Sequence, residues 1–193
     1  WDAESGGAVL VIDVGADVRA LAFFADSATG APRLACGCED KKVRVFDPVT
    51  GGEALVVINA GERVHALAFF ADPATGAPRL ACGCYDGKVR IYDPVAGGEA
   101  LVVLEGHTES VRALTVFEDP AASGLRLASG SSDNSVRIWD LAAGGAALLV
   151  LEGHTSTVRA LMAFVDPATG ETRLASGSND KTVRAWDASK GGA

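Results

Sequence analysis

Two kinds of residue cluster in this chain have the types and spacing to do chemistry. Cys36-Gly37-Cys38 and Cys82-Gly83-Cys84 each set two thiols one residue apart, a spacing open to a soft metal ion or a redox pair. His107 with Ser129 and Asp133, and again His154 with Ser176 and Asp180, supply base, nucleophile and orienting acid, the residue types of a hydrolytic triad. Each cluster also has a blander explanation. Residues 127–140 read LASGSSDNSVRIWD and residues 174–187 read LASGSNDKTVRAWD, so serine and aspartate arrive as parts of a copied segment. The two Cys-Gly-Cys triplets fall where these copies have Ser129-Gly130-Ser131 and Ser176-Gly177-Ser178. That marks them as places for small side chains on a strand rather than as ligands, and no metal or other cofactor is expected. Phosphate-binding glycine loops, zinc spacings and carboxylate pairs do not stand out elsewhere.

The elements that must position these residues follow from composition and period. Of 193 residues, 48% are hydrophobic and 22% charged with only 7 prolines, the make-up of a folded domain and not of a disordered tail. No apolar run approaches the roughly 20 residues of a membrane helix, and no basic segment leads into an apolar one at the N-terminus. A soluble, cytoplasmic chain without membrane contact is expected, and four unpaired thiols fit such a reducing setting. The net charge of −8 argues against nucleic acid as a partner, because neutralising phosphates takes a concentrated basic surface.

Aromatic-aspartate pairs recur every 45 to 47 residues, at Trp1-Asp2, Phe46-Asp47, Tyr92-Asp93, Trp139-Asp140 and Trp186-Asp187. Between them lie alternating apolar runs such as ALVVL, VRALTVF, LRLASGS and SVRIWD, separated by Asp-Pro, Thr-Gly and Gly-Gly turns. Period-2 alternation without any 3.6-residue period predicts an all-β chain of four units, each with four short antiparallel strands.

Gly106-His107, Asp133 and Trp139-Asp140 in the third unit, with Gly153-His154, Asp180 and Trp186-Asp187 in the fourth, resemble the WD40 repeat family over essentially the whole chain. The first two units depart from the pattern: they lack Gly-His and carry Phe46, Tyr92, Cys36 and Cys82 where the later units have tryptophan and serine. The resemblance implies a β-propeller domain over residues 1–193, with units at about 1–47, 48–93, 94–140 and 141–187 and a redundant connector tail at 188–193. It also implies hydrogen-bonded tetrads, here His107, Ser129, Asp133, Trp139 and His154, Ser176, Asp180, Trp186. Catalysis is not expected, because the serine of each tetrad should be buried between blades and no oxyanion donors are identifiable. The expected function is a noncatalytic scaffold for a protein or peptide partner. By analogy with the family, the partner-binding face is formed by Arg19, His65, Arg112 and Arg159 just inside the first strand of each blade. Asp17, Arg63, Ser110 and Thr157 stand two positions earlier, and Glu39, Tyr85, Ser132 and Asn179 precede the aspartate of the next turn but one. Three arginines and a histidine on an acidic chain suggest an acidic or anionic ligand at a channel mouth. A second series, Arg44, Arg90, Arg137 and Arg184, shares a strand face with the aromatics and reads as structural.

Four blades are half of an eight-bladed ring. The first unit opens with GGAVLVID, which matches the strand-d segments of the other units, while no such segment follows the last strand c. Closure through a homodimer with strand d exchanged at the termini is therefore expected, with a tight four-bladed ring in one chain as the other route. The overlapping ends, WDAESGGA and WDASKGGA, also suit a repeat module excised or designed for self-assembly, with no ligand of its own.

Overall fold

The computed structural model describes residues 7–119 and 124–189. Alternating apolar residues and aspartate-glycine turns fold this chain into four antiparallel sheets in sequence order. Blade 1 holds β1 (Val18–Ala25), β2 (Pro32–Cys38), β3 (Lys42–Phe46) and β4 (Val56–Asn59). Blade 2 holds β5 (Val64–Ala71), β6 (Pro78–Cys84), β7 (Val89–Tyr92) and β8 (Val102–Leu104). Blade 3 holds β9 (Val111–Asp119), β10 (Gly124–Ser131), β11 (Val136–Asp140) and β12 (Leu149–Leu151). Blade 4 has three strands: β13 (Val158–Val165), β14 (Thr172–Ser178) and β15 (Val183–Asp187). No helix occurs among the described residues. Trp1-Asp2, most of WDAESGGA and the end of the connector tail lie outside them.

In the aromatic-aspartate pairs among the described residues the aspartate is a turn residue. Asp47, Asp93 and Asp140 accept the amide hydrogens of Val49, Val95 and Ala142, each at 2.8 Å, and so hold the loop that leads to the fourth strand. Gly51, Gly97 and Gly144 close these turns at φ of 68°, 71° and 63°, a region that costs glycine little.

Blades join through a knob and a seat. A Cβ on Gly37, Gly83 or Gly130 would come within 2.7, 2.7 or 2.6 Å of the Cγ1 of Val64, Val111 or Val158, so each glycine makes room for the first valine of the next blade. Those valines are fully buried, and the cores run between sheets: Phe24, Val45 and Ile58 of blade 1 pack with Val64, Leu80 and Tyr92 of blade 2. The two outer ends are open. Val18, Leu21 and Phe23 on blade 1 are 42%, 59% and 64% exposed, and Val183 on β15 is 76% exposed where Val43, Val89 and Val136 are sealed. Residues 8–13, expected as an orphan strand, belong to no sheet, although Ile12 and Val14 cover Cys36, Cys38 and Phe46.

Candidate functional site

The structure brings each set of His, Ser, Asp and Trp into one chain of hydrogen bonds. Strand β10 supplies Ser129, strand β11 supplies Trp139, the loop into β9 supplies His107 and the β10–β11 turn supplies Asp133. His107 Nδ1 lies 2.8 Å from Asp133 Oδ2, and its Nε2 lies 2.8 Å from Ser129 Oγ. Trp139 Nε1 donates to the same Oγ at 2.8 Å. In blade 4 the corresponding His154–Asp180, His154–Ser176 and Trp186–Ser176 contacts each measure 2.7 Å. A carboxylate only accepts, so in the neutral imidazole Nδ1 carries the proton and Nε2 accepts from the serine hydroxyl.

These distances are also those of a hydrolytic triad. The difference lies in access: Ser129 and Ser176 are 0% and 1% exposed, and each Oγ is occupied by an indole N–H. Burial alone would raise the Asp133 carboxyl, but hydrogen bonds from His107 and Ser135 outweigh it and hold the group below its ordinary 3.8. Asp180 is likewise depressed, burial being outweighed by Thr182 and His154. A depressed carboxyl stabilises the fold above its unfolded value and loses that contribution as the pH falls. Thermal stability is therefore expected to fall below about pH 4, where free aspartate begins to protonate. Asp133→Asn with Asp180→Asn should make that acid limb shallower, and an unchanged limb would exclude the two carboxyls as its source.

Blades 1 and 2 solve the same problem without histidine. Arg44 forks onto Asp40 at 3.1 and 2.6 Å, and Arg90 onto Asp86 at 3.0 and 2.6 Å. Asp40 and Asp86 stand where Asp133 and Asp180 stand later, so an arginine replaces the imidazole as the partner of the turn carboxylate. Sequence reasoning missed this exchange, and the missing Gly-His was its signal. In blade 4 the same arginine series turns to the ring instead, with Arg184 Cζ 5.9 Å from the Trp186 centroid. All four thiols are buried and free, and burial pushes Cys36 and Cys84 up to about 11, which suits small core residues. Among the described residues no group of three or more His, Cys, Asp or Glu is arranged to hold a metal.

The rim series also meet. Glu39, Tyr85, Ser132 and Asn179 donate their amide hydrogens to the carbonyls of Asp17, Arg63, Ser110 and Thr157 at 2.9 to 3.0 Å, which fixes both series at the same end of every blade. Arg19 and Arg63 converge on Glu39 at 2.8 and 3.4 Å, and Arg63 lies over the Tyr85 ring at 5.5 Å. The other half of the rim is different. Arg112 bonds only a hydroxyl, that of Ser132 at 3.2 Å, and Arg159 is exposed and has no carboxylate partner among the described residues. Burial, and then the charge of Arg159, lowers Arg112 from its ordinary value. Burial and Arg112 lower His65, whose Nε2 is buried with no hydrogen-bond partner.

A protein-family model described as "WD domain, G-beta repeat" matches residues 11–47, 54–93, 98–140 and 145–187. No curated protein matches the chain. Among solved structures, the computationally designed Ika4 protein is similar at 27% identity and a TM-score of 0.69, over 94% of this chain and 98% of that one. The computationally designed Ika8 protein is similar at 29% identity and a TM-score of 0.65, over 88% of this chain and 45% of that one, so this chain spans under half of its length. Among the described residues no helix is long and apolar enough to cross a membrane.

Proposed function

The chain belongs to the WD40 family, and from that premise we propose that it is a noncatalytic scaffold whose rim receives an acidic segment of a protein or peptide partner. The observation that carries this reading is the pair Arg112 and Arg159, two cations without a carboxylate partner among the described residues, Arg112 beside the half-buried His65, on a chain whose net charge is −8. Guanidinium groups that no carboxylate neutralises, here the exposed Arg159 and the half-buried Arg112, focus positive potential and offer forked donors to a carboxylate or phosphate. Tyr85, 51% exposed, is the aromatic handle beside them. The buried tetrads serve as clamps that pin the loop before each first strand to the next hairpin, and their sealed serines support a protein that is not an enzyme. Four buried free thiols support a reducing, cytoplasmic setting.

Titration with a short glutamate-rich peptide tests the rim. Arg112→Glu with Arg159→Glu is expected to weaken binding at least tenfold, about 1.4 kcal/mol, and added salt should weaken the parent chain's binding as well. Equal binding by parent and variant would exclude the rim as the site.

The working form we propose is a homodimer of two four-blade arcs. A second reading, a self-assembling repeat module with no ligand of its own, is favoured by the designed origin of both solved neighbours. Affinity capture separates the two: a scaffold recovers a defined acidic partner, and a bare module recovers only itself.

A further inference from the structure

The two open ends of the arc carry complementary halves of one seam. Gly177 occupies in blade 4 the place of the seat glycines Gly37, Gly83 and Gly130, yet the one atom within 4 Å of its Cβ position is the Cβ of Ala160, at 3.7 Å in its own blade. Val18 occupies in blade 1 the place of the knobs Val64, Val111 and Val158, and it rests on no glycine. A second pair repeats this logic. Phe24 of blade 1 stacks on Phe69 of blade 2 with ring centroids 5.0 Å apart. The residues of the same rank at the open ends, Phe164 on blade 4 and Phe23 on blade 1, are 37% and 64% exposed.

The third pair is backbone. Strands β3 and β4 align Val43 with Ile58, β7 and β8 align Val89 with Leu104, and β11 and β12 align Val136 with Leu151. Among the described residues strand β15 has no such neighbour, and an edge strand of this kind offers the backbone groups of Val183 to Ala185 for pairing. Residues 8–13 are the matching piece. Leu10 lies 3.1 Å from the Cβ position of Gly51, as Val56 lies 3.1 Å from that of Gly97, so the segment already takes toward blade 1 the place a fourth strand takes toward the following blade.

We propose that a second copy of this chain fills both gaps. Val18 of one copy seats on Gly177 of the other, Phe23 stacks on Phe164, and residues 10–12 add to β15 with Ile12 opposite Val183, Val11 opposite Arg184 and Leu10 opposite Ala185. The proposal rests on the reading that the working form is a pair of arcs. The occupant is a copy and not an unrelated protein because the seam continues the three inter-blade interfaces already present, knob for knob and strand for strand. A twofold axis repeats the seam and leaves no free end. It also completes the rim, because Arg19 of one copy comes beside Arg159 of the other, as Arg159 stands near Arg112 within one chain.

The test uses the full chain with Ile12→Cys and Val183→Cys, singly and together. Cys82 and Cys84 are buried away from this segment, but Cys36 and Cys38 lie beneath Ile12, so every cross-linking variant also carries Cys36→Ala and Cys38→Ala. Light scattering of the parent is expected at about 39 kDa, twice the 19.7 kDa chain. Mild oxidation should give a covalent dimer from the double variant and from a mixture of the two single variants, and from neither single variant alone. Val18→Asp should weaken association at least a hundredfold while the far-ultraviolet β spectrum persists, since Val18 is not part of a single arc's core. A folded 19.7 kDa monomer, or a disulfide formed within one chain, overturns the proposal. So does a dimer that fails to cross-link and tolerates Val18→Asp, which would place its interface elsewhere. A parent chain that stays monomeric yet binds the glutamate peptide overturns the seam and leaves the rim reading standing; a cross-linked dimer that ignores the peptide supports the seam and removes the rim reading.

Discussion

Trp139→Ala is expected to cost about 3–5 kcal/mol of stability, the range for emptying a buried tryptophan site. Trp139→Phe should cost about 1–3 kcal/mol, the range for leaving a buried polar partner unsatisfied. The indole is 1% exposed, donates to Ser129 and meets the His107 ring edge-on at 6.2 Å, so alanine removes both the filling of the core and one end of the hydrogen-bond chain. Phenylalanine restores most of the volume and isolates the polar term. Blade 1 supplies the control within the same molecule. Phe46 holds the corresponding place beside Cys36, with no indole N–H and no histidine, and Phe46→Leu should cost less than Trp139→Ala because only packing is lost. Chemical denaturation of the three variants decides the matter. A neutral Trp139→Phe would mean that the network does not clamp blade 3.

The reason blades 3 and 4 were legible in sequence and blades 1 and 2 only by register lies in those same residues. Histidine, serine, aspartate and tryptophan together form a network whose members are individually costly to bury, so the set is recognisable wherever it occurs. Arginine in place of histidine hides the equivalent arrangement, because Arg44 and Arg90 have counterparts at identical spacing in Arg137 and Arg184, and Arg184 turns to a ring instead. Only the three-dimensional choice of partner, carboxylate or ring, tells the two apart. The rim was legible as a set of positions but not as a charge pattern. Nothing in the spacing of Arg19 and Arg63 reveals that one carboxylate, Glu39, serves both, and nothing in Arg112 and Arg159 reveals that none among the described residues serves them. Strand pairings followed from alternation except at the register shifts between Val18 and Ala20, Val64 and Ala66, Val111 and Ala113, and Val158 and Ala160, where an extra residue re-aims the rim side chain. The seat glycines were not legible at all. A glycine inside a strand announces close approach by something, and only the folded chain shows that the visitor is the next blade's valine.

Removal of residues 1–13 is expected to abolish the 39 kDa species and leave chains of about 18 kDa, and the argument has two parts. Within one arc the segment covers Cys36, Cys38 and Phe46 through Ile12, so its loss uncovers the outer face of blade 1. Under the proposed closure it is also the fourth strand of the other copy's blade 4, so the same deletion would strip a ladder from each of the two seams. A deletion alone cannot separate these effects, but moving the segment can. Appending the GGAVLVID sequence after residue 193 of the shortened chain supplies a fourth strand to β15 in cis, while Phe46 stays uncovered until another arc docks. Under the strand-exchange model this rearranged chain closes blade 4 by itself, regains dimer mass through its sheet faces, and dissociates at lower denaturant than the parent because no strand is shared. If the shortened chain already dimerises as tightly as the parent, residues 8–13 play no part in closure, and the seam reduces to Val18, Phe23 and their seats.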